Sequence, residues 1–281
     1  MATDRDGWTF SEAGAGDKTV LLLPGALCTG AFYSDVLADP SVSGSGVRLV
    51  AATPPGFGGN PRPPGFDMSV SSYADLVEAE ADRLACSALV GHSYFANVLI
   101  EIAARGRFSG PLVLLSPCFS REDEEKDVRQ LNAIARVPGV GAFVFWIAPR
   151  TLSGSMKGRF PEERHDELVG EMKRGMADGR STRQFIKRYF DSLDEPGSLA
   201  ERLASSGAPA WVVRGDADEV GLTAAEAATL EAAPSVTMVS IPDARHFSMT
   251  DQPAAVTRVI LDAVGVTDSS PGRATGLDDL R

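Results

Sequence analysis

Six short apolar runs, each halted within a few residues by glycine or proline, constrain this chain most. They are residues 19–23 (TVLLL), 48–52 (RLVAA), 88–90 (ALV), 111–115 (PLVLL), 210–213 (AWVV) and 236–241 (VTMVSI). Most are unbroken rather than alternating, so each reads as a strand buried on both faces, as in a parallel sheet. Residues 8–11, followed by turn residues 14–17 (GAGD), predict an antiparallel edge strand. Helical spacing lies between the runs. In 71–84 the apolar positions Tyr73, Leu76, Val77, Ala81 and Leu84 share one face, and Ser72 with Asp75 reads as a capping box. Val256, Val259, Ile260 and Val264 predict a closing helix, with Pro253 near its first turn. The fold class expected is α/β, a mostly parallel doubly wound sheet.

One segment breaks the alternation. Residues 118–207 hold no strand pattern but show helical spacing at 122–135, 161–176 and 181–193. They read as a helical cap inserted into a core domain formed by 1–117 and 208–266, with 267–281 as a polar, frayed tail. The apolar stretch 137–148 is too short for a membrane span of ~20 residues.

Composition narrows the partners. The 281 residues carry a net charge of −11, which disfavours a phosphate backbone as ligand. Ten basic and six acidic residues between 150 and 188 make that stretch locally cationic, read as a solvated cap face or as steering for an anionic substrate. Three scattered cysteines (Cys28, Cys86, Cys118) match neither a disulfide framework nor a zinc site. Residues 1–6 lack the apolar core of a secretory signal. A cytoplasmic protein is expected, with a small-molecule substrate, no nucleic acid, no membrane, and a homodimer as one option.

The chemistry-bearing stretch is Val90-Gly91-His92-Ser93-Tyr94-Phe95, a strand end that opens an apolar helix at 96–104. A serine at such a turn is pushed out at the sheet's edge, beside helix N–H groups that favour negative charge. It needs a base. Of three histidines, His92 should point away from Ser93, and His165 lies in a charged stretch. His246 follows a buried strand, at the sheet edge where sites assemble. Asp216 or Asp218, after the 210–213 strand, could orient it.

These residues resemble the α/β-hydrolase superfamily, specifically its small cap-bearing, esterase- and cofactor-free haloperoxidase-like members. Leu22-Leu23-Pro24-Gly25-Ala26 is similar to the oxyanion loop, and Pro55-Gly56-Phe57-Gly58 to the turn after the family's fourth strand. Leu115-Ser116-Pro117 ends the family's sixth strand, after which the cap is inserted. Gly215-x-x-Asp218, His246-Phe247 and Asp251-Gln252-Pro253 match the acid and base motifs. The resemblance covers about Trp8 to Val264. It selects Asp218 over Asp216 and implies a Ser93–His246–Asp218 triad with the N–H groups of Ala26 and Tyr94 as oxyanion donors. It implies hydrolysis of a small ester, lactone or related acyl substrate, with no cofactor and no metal. Leu27, Phe95, Phe143, Trp146 and Phe247 are the expected pocket residues, although 139–148 could instead pack into the cap. Three departures stand out: Phe95 replaces the elbow's last glycine, Pro24 the loop histidine, and Thr53 a frequent aspartate. A serine nucleophile disfavours dehalogenase and epoxide-hydrolase chemistry. Perhydrolase or carbon–carbon hydrolase activity, and a ligand-binding protein with vestigial turnover, are the alternatives.

Overall fold

The structure, a computed structural model, describes residues 7–176 and 178–266; the expected tail lies outside them. Seven strands form one sheet: β1 (Thr9–Gly14), β2 (Lys18–Leu23), β3 (Val47–Thr53), β4 (Cys86–His92), β5 (Leu112–Leu115), β6 (Ala210–Gly215) and β7 (Val236–Ile241). Their spatial order is β1-β3-β2-β4-β5-β6-β7. Only the β1–β3 pair is antiparallel. All six apolar runs thus become parallel strands. Leu21, Leu22, Leu89, Val90, Leu114 and Val212 are fully buried, as strands covered on both faces require.

The helices are α1 (Ser34–Leu37), α2 (Val70–Arg83), α3 (Tyr94–Arg105), α4 (Lys126–Arg136), α5 (Val140–Ser155), α6 (His165–Gly175), α7 (Gly179–Leu193), α8 (Leu199–Ser206), α9 (Ala224–Glu231), α10 (Ser248–Asp251) and α11 (Pro253–Ala263). Helix α2 starts earlier than its spacing implied. Ser69, not Ser72, is the N-cap: its Oγ accepts from Ser72 N at 3.1 Å. Asp67 explains the shift, because its carboxylate accepts from both Ser69 N and the Ser72 hydroxyl.

Residues 116–209 join β5 to β6, so the insertion follows the fifth strand present here, one lower than the family count. Helices α4, α5 and α7 pack on one another, and α6 rests on α5 and on the 3-10 turn Gly30–Tyr33. Helix α8, placed with the cap by sequence, instead packs on α3 and α9 in the sheet's own helical layer. The chain runs outward in one direction from β2 to β3 and in the other from β4 onward, so the crevice between the C-terminal ends of β2 and β4 is a topological switch point.

Candidate active site

At the end of β4 the chain turns directly into α3. Ser93, the turning residue, has φ 50° and ψ −112°, a conformation a non-glycine residue holds only when its surroundings enforce it. Ser93 N donates to Leu115 O at 2.8 Å, and Ser93 O accepts from Ala96 N and Asn97 N. The side chain is half-buried and stands at the start of α3, beside N–H groups that have no carbonyl a turn earlier. The turn is tight because a Cβ on Gly91 would sit 2.5 Å from Phe95 O. Glycine at 91 therefore provides the close approach, and the elbow tolerates Phe95.

The Phe95 ring packs into an aromatic cluster beside the elbow. It is fully buried and meets Phe57, Tyr73 and Tyr94 edge to face, at 6.0, 5.1 and 5.3 Å between centroids. Phe95→Ala should cost about 3–5 kcal/mol, the range for emptying a packed aromatic site. Urea unfolding measures it; a loss below ~1 kcal/mol would contradict this packing.

His246 and Asp218 meet from two loops. A Cβ on Gly215 would lie 2.0 Å from Ala244 O, so only glycine lets the end of β6 lie against the loop after β7. Ala217 N donates to Ala244 O at 3.0 Å, and Asp251 grips Arg245 through its backbone N and guanidinium. His246 Nδ1 then lies 3.0 Å from Asp218 Oδ1, which also accepts from Val220 N. The Asp218 side chain is 0% exposed, whereas Asp216 is exposed to solvent. Burial alone would raise the Asp218 carboxyl, but the hydrogen bond and charge of His246 bring it down to about 2. Burial likewise works against a charged His246, yet Asp218 lifts its pKa above the ordinary histidine value, with smaller help from Glu124 and Glu125. A hydrogen bond from Ser93 Oγ to His246 is not among those formed by the described residues; in unliganded sites such contacts often tighten only around substrate.

The Gly25–Cys28 turn faces this pair. Cys28 N donates to Gly25 O, and Leu27 adopts φ 61°. A Cβ on Gly25 would lie 2.5 Å from His92 Nδ1 and 3.5 Å from Ser93 Cβ, so this glycine backs directly onto the elbow. Thr53, in the place of the frequent aspartate, accepts from Gly30 N at 2.9 Å and holds the end of the same loop. Helix α6 packs against this loop: a Cβ on Gly175 would meet Leu27 O at 2.4 Å, and Thr29 Oγ1 donates to Glu171 at 2.7 Å. Gly25 thus lies against Ser93, while Leu27, two residues on, lies against α6. Tyr94 N is the first N–H of α3, and the Tyr94 ring touches Phe185 and Tyr189 of the cap at 4.6 and 5.7 Å.

Phe247 is buried against the rings of His92, His246 and Phe160, at 5.1, 5.2 and 4.8 Å. Phe143 and Trp146 are not brought to the site. They are 59% and 62% exposed on the outer side of α5, where Arg150 stacks on Trp146 at 4.5 Å. Helical geometry explains the correction: Gly141, Phe145 and Leu152 form the buried stripe, and Phe143 and Trp146 point away from it. Trp146 instead lines an outer groove of about 890 Å³ with Arg180, Arg183 and Lys187.

Sequence reasoning missed three neighbours. His92, set aside as pointing away, lies 4.8 Å from the His246 ring and places Nε2 2.9 Å from His246 O. Ser116 donates to the same carbonyl at 3.1 Å. Phe160 follows no motif and is found only by the cap's fold. All three cysteines are free thiols, and burial pushes each one's pKa up. Among the described residues no three His, Cys, Asp or Glu side chains converge to hold a metal, and no helix is long and apolar enough to cross a membrane.

Comparison with solved structures agrees with this architecture. An esterase from Thermogutta terrifontis with malate bound superposes at TM-score 0.67 and 20% identity, covering 91% of this chain and 92% of that one. The N-acyl homoserine lactonase AidH, complexed with N-hexanoyl homoserine, gives 0.68 and 18%, covering 96% and 98%. The enol-lactonase of Burkholderia xenovorans LB400 gives 0.64 and 17%, covering 92% and 96%. No curated protein sequence matches the chain. The family model described as the alpha/beta hydrolase family matches residues 20–259, most of the sheet and the whole segment between β5 and β6. A seven-stranded hydrolase sheet matched by a family model over that span makes this chain a member of the alpha/beta hydrolase family, consistent with hydrolysis of ester bonds.

Proposed function

We propose that this hydrolase cleaves a small uncharged ester or lactone through a serine acyl-enzyme. The carrying observation is the buried Asp218–His246 pair at 3.0 Å, set across from a serine in the strained elbow conformation. Ser93 Oγ attacks the carbonyl carbon while His246 takes its proton. Asp218 keeps the proton of neutral His246 on Nδ1, leaving Nε2 as the base, and offsets the imidazolium charge. The N–H groups of Tyr94 and Ala26 receive the oxyanion, each donor contributing ~3 kcal/mol in comparable sites. His246 then returns the proton to the leaving alcohol. Water attacks the acyl-enzyme with His246 again as base, restoring the Ser93 hydroxyl and releasing the acid.

Phe247, in ring contact with His246, and Phe160, packed on Phe247, favour an apolar acyl group. Arg159, Arg164 and Arg174 are paired with Glu125, Asp35 and Glu171, so these three offer no free charge to an anionic substrate. The esterase and the two lactonases it resembles in fold support this substrate class. The three free thiols fit a reducing, cytoplasmic setting.

Aryl esters and lactones assayed beside diketones and peroxide-dependent halogenation test the reading. Ester or lactone turnover should dominate; diketone cleavage or halogenation alone would overturn it. Because His246 must be neutral to act as base and its pKa is raised, kcat/KM should fall on the acid side with an apparent pKa above the ordinary value of ~6.5. A pH–rate profile reads this directly, and an acid limb below that value would contradict the Asp218 pairing.

A further inference from the structure

The catalytic histidine is held by its backbone as well as by its ring. The carbonyl oxygen of His246 lies 2.9 Å from His92 Nε2 and 3.1 Å from Ser116 Oγ. These donors come from the ends of two adjacent parallel strands, β4 and β5. His92 is 1% exposed and Ser116 0%, so neither bond competes with water. Ser116 adopts φ 50°, a left-handed conformation that β-strand continuation would not demand.

His92 is committed to this one contact. A carbonyl can only accept, so Nε2 carries the hydrogen and Nδ1 is bare. Among the described residues Nδ1 has no hydrogen-bond partner, and it faces Gly25, where a Cβ would lie 2.5 Å away. Burial and the neighbouring His246 push the His92 pKa down to about 3, which keeps the ring neutral. A buried imidazole with an unpaired nitrogen is costly where an apolar residue would fit, and its geometry points to a specific use.

We propose that His92 and Ser116 form a two-donor clamp on the His246 carbonyl and act as positioning residues for the general base. The proposal rests on the serine-hydrolase reading above. Asp218 fixes where His246 Nδ1 points; the clamp fixes where the residue's backbone lies relative to Ser93. With only the carboxylate contact the imidazole could pivot about the Asp218 oxygen, and sub-ångström errors at a base are costly. The clamp also joins elbow and base loop, since His92 is the residue immediately before Ser93.

The test uses side chains that separate donor from bulk. His92→Gln keeps an N–H at nearly the Nε2 position, whereas His92→Met fills the space without a donor. Ser116→Ala removes the second bond together with the hydroxyl's support of the Asp218 carboxylate, so the two His92 variants carry the decision. With an aryl ester, His92→Met should lower kcat by ~10-fold or more, Ser116→Ala by ~3-fold, each with KM within about twofold, and His92→Gln should recover most of the loss. The rate of fluorophosphonate labelling at Ser93 should follow kcat, and the acid limb should move to lower pH as the loosened His246 loses part of its Asp218 bond. Thermal melts identify any variant that is merely unfolded, and rates are then taken per folded molecule. Equal kcat in His92→Met and wild type, or equal loss in His92→Gln and His92→Met, would overturn the clamp. A wild type that takes no label would instead defeat the serine-hydrolase reading itself.

Discussion

Ser93→Ala should abolish turnover of any ester or lactone the wild type accepts, by on the order of 10⁶ in kcat. The loss is this large because every covalent step passes through one oxygen. Without it, oriented water and the helix N-terminus supply only a small residual rate. Stability should change little, since the side chain is half-buried and its own oxygen caps no helix N–H. Relief of the φ 50° strain is not available to alanine either. A matching drop in melting temperature and activity would mean that Ser93 is structural rather than chemical.

Asp218→Asn should cost on the order of 10⁴ in kcat, the scale expected when a histidine loses the carboxylate that sets its tautomer. An asparagine amide at that position can present its N–H₂ to Nδ1, which puts the proton on the nitrogen that must be the base. Asp216→Asn should stay within about twofold of wild type, because Asp216 is exposed and two residues out of register. Steady-state kinetics on both variants decide between the aspartates. The reverse ranking would show that the buried 3.0 Å contact to His246 is not the working one.

Much of this was legible in the chain, for identifiable physical reasons. Parallel strands buried on both faces leave unbroken apolar runs, and their ends collect the glycines that permit close approach, as at Gly91 and Gly215. Those two signals located the sheet, the elbow and the loops bearing Asp218 and His246. Cap side-chain directions were not legible. Residues 140–148 are apolar on every side, so periodicity could not say that Phe145 turns inward while Phe143 and Trp146 face solvent. The elbow phenylalanine misled for a related reason: a glycine's role was transferred to position 95, although the space it normally secures was met by Gly91. His92 and Ser116 were invisible as partners of His246, because they lie 154 and 130 residues away in sequence and meet it through a backbone carbonyl, which leaves no residue-type signature.

The central claim is that Ser93, activated by the Asp218–His246 pair, is the nucleophile of this alpha/beta hydrolase. The most direct measurement is fluorophosphonate labelling of the full chain, followed by mass mapping of the adduct. One adduct per chain, on Ser93, absent from Ser93→Ala and slowed strongly in Asp218→Asn, is the predicted result. No adduct on wild type, an adduct on another residue, or equal labelling of Ser93→Ala would contradict it.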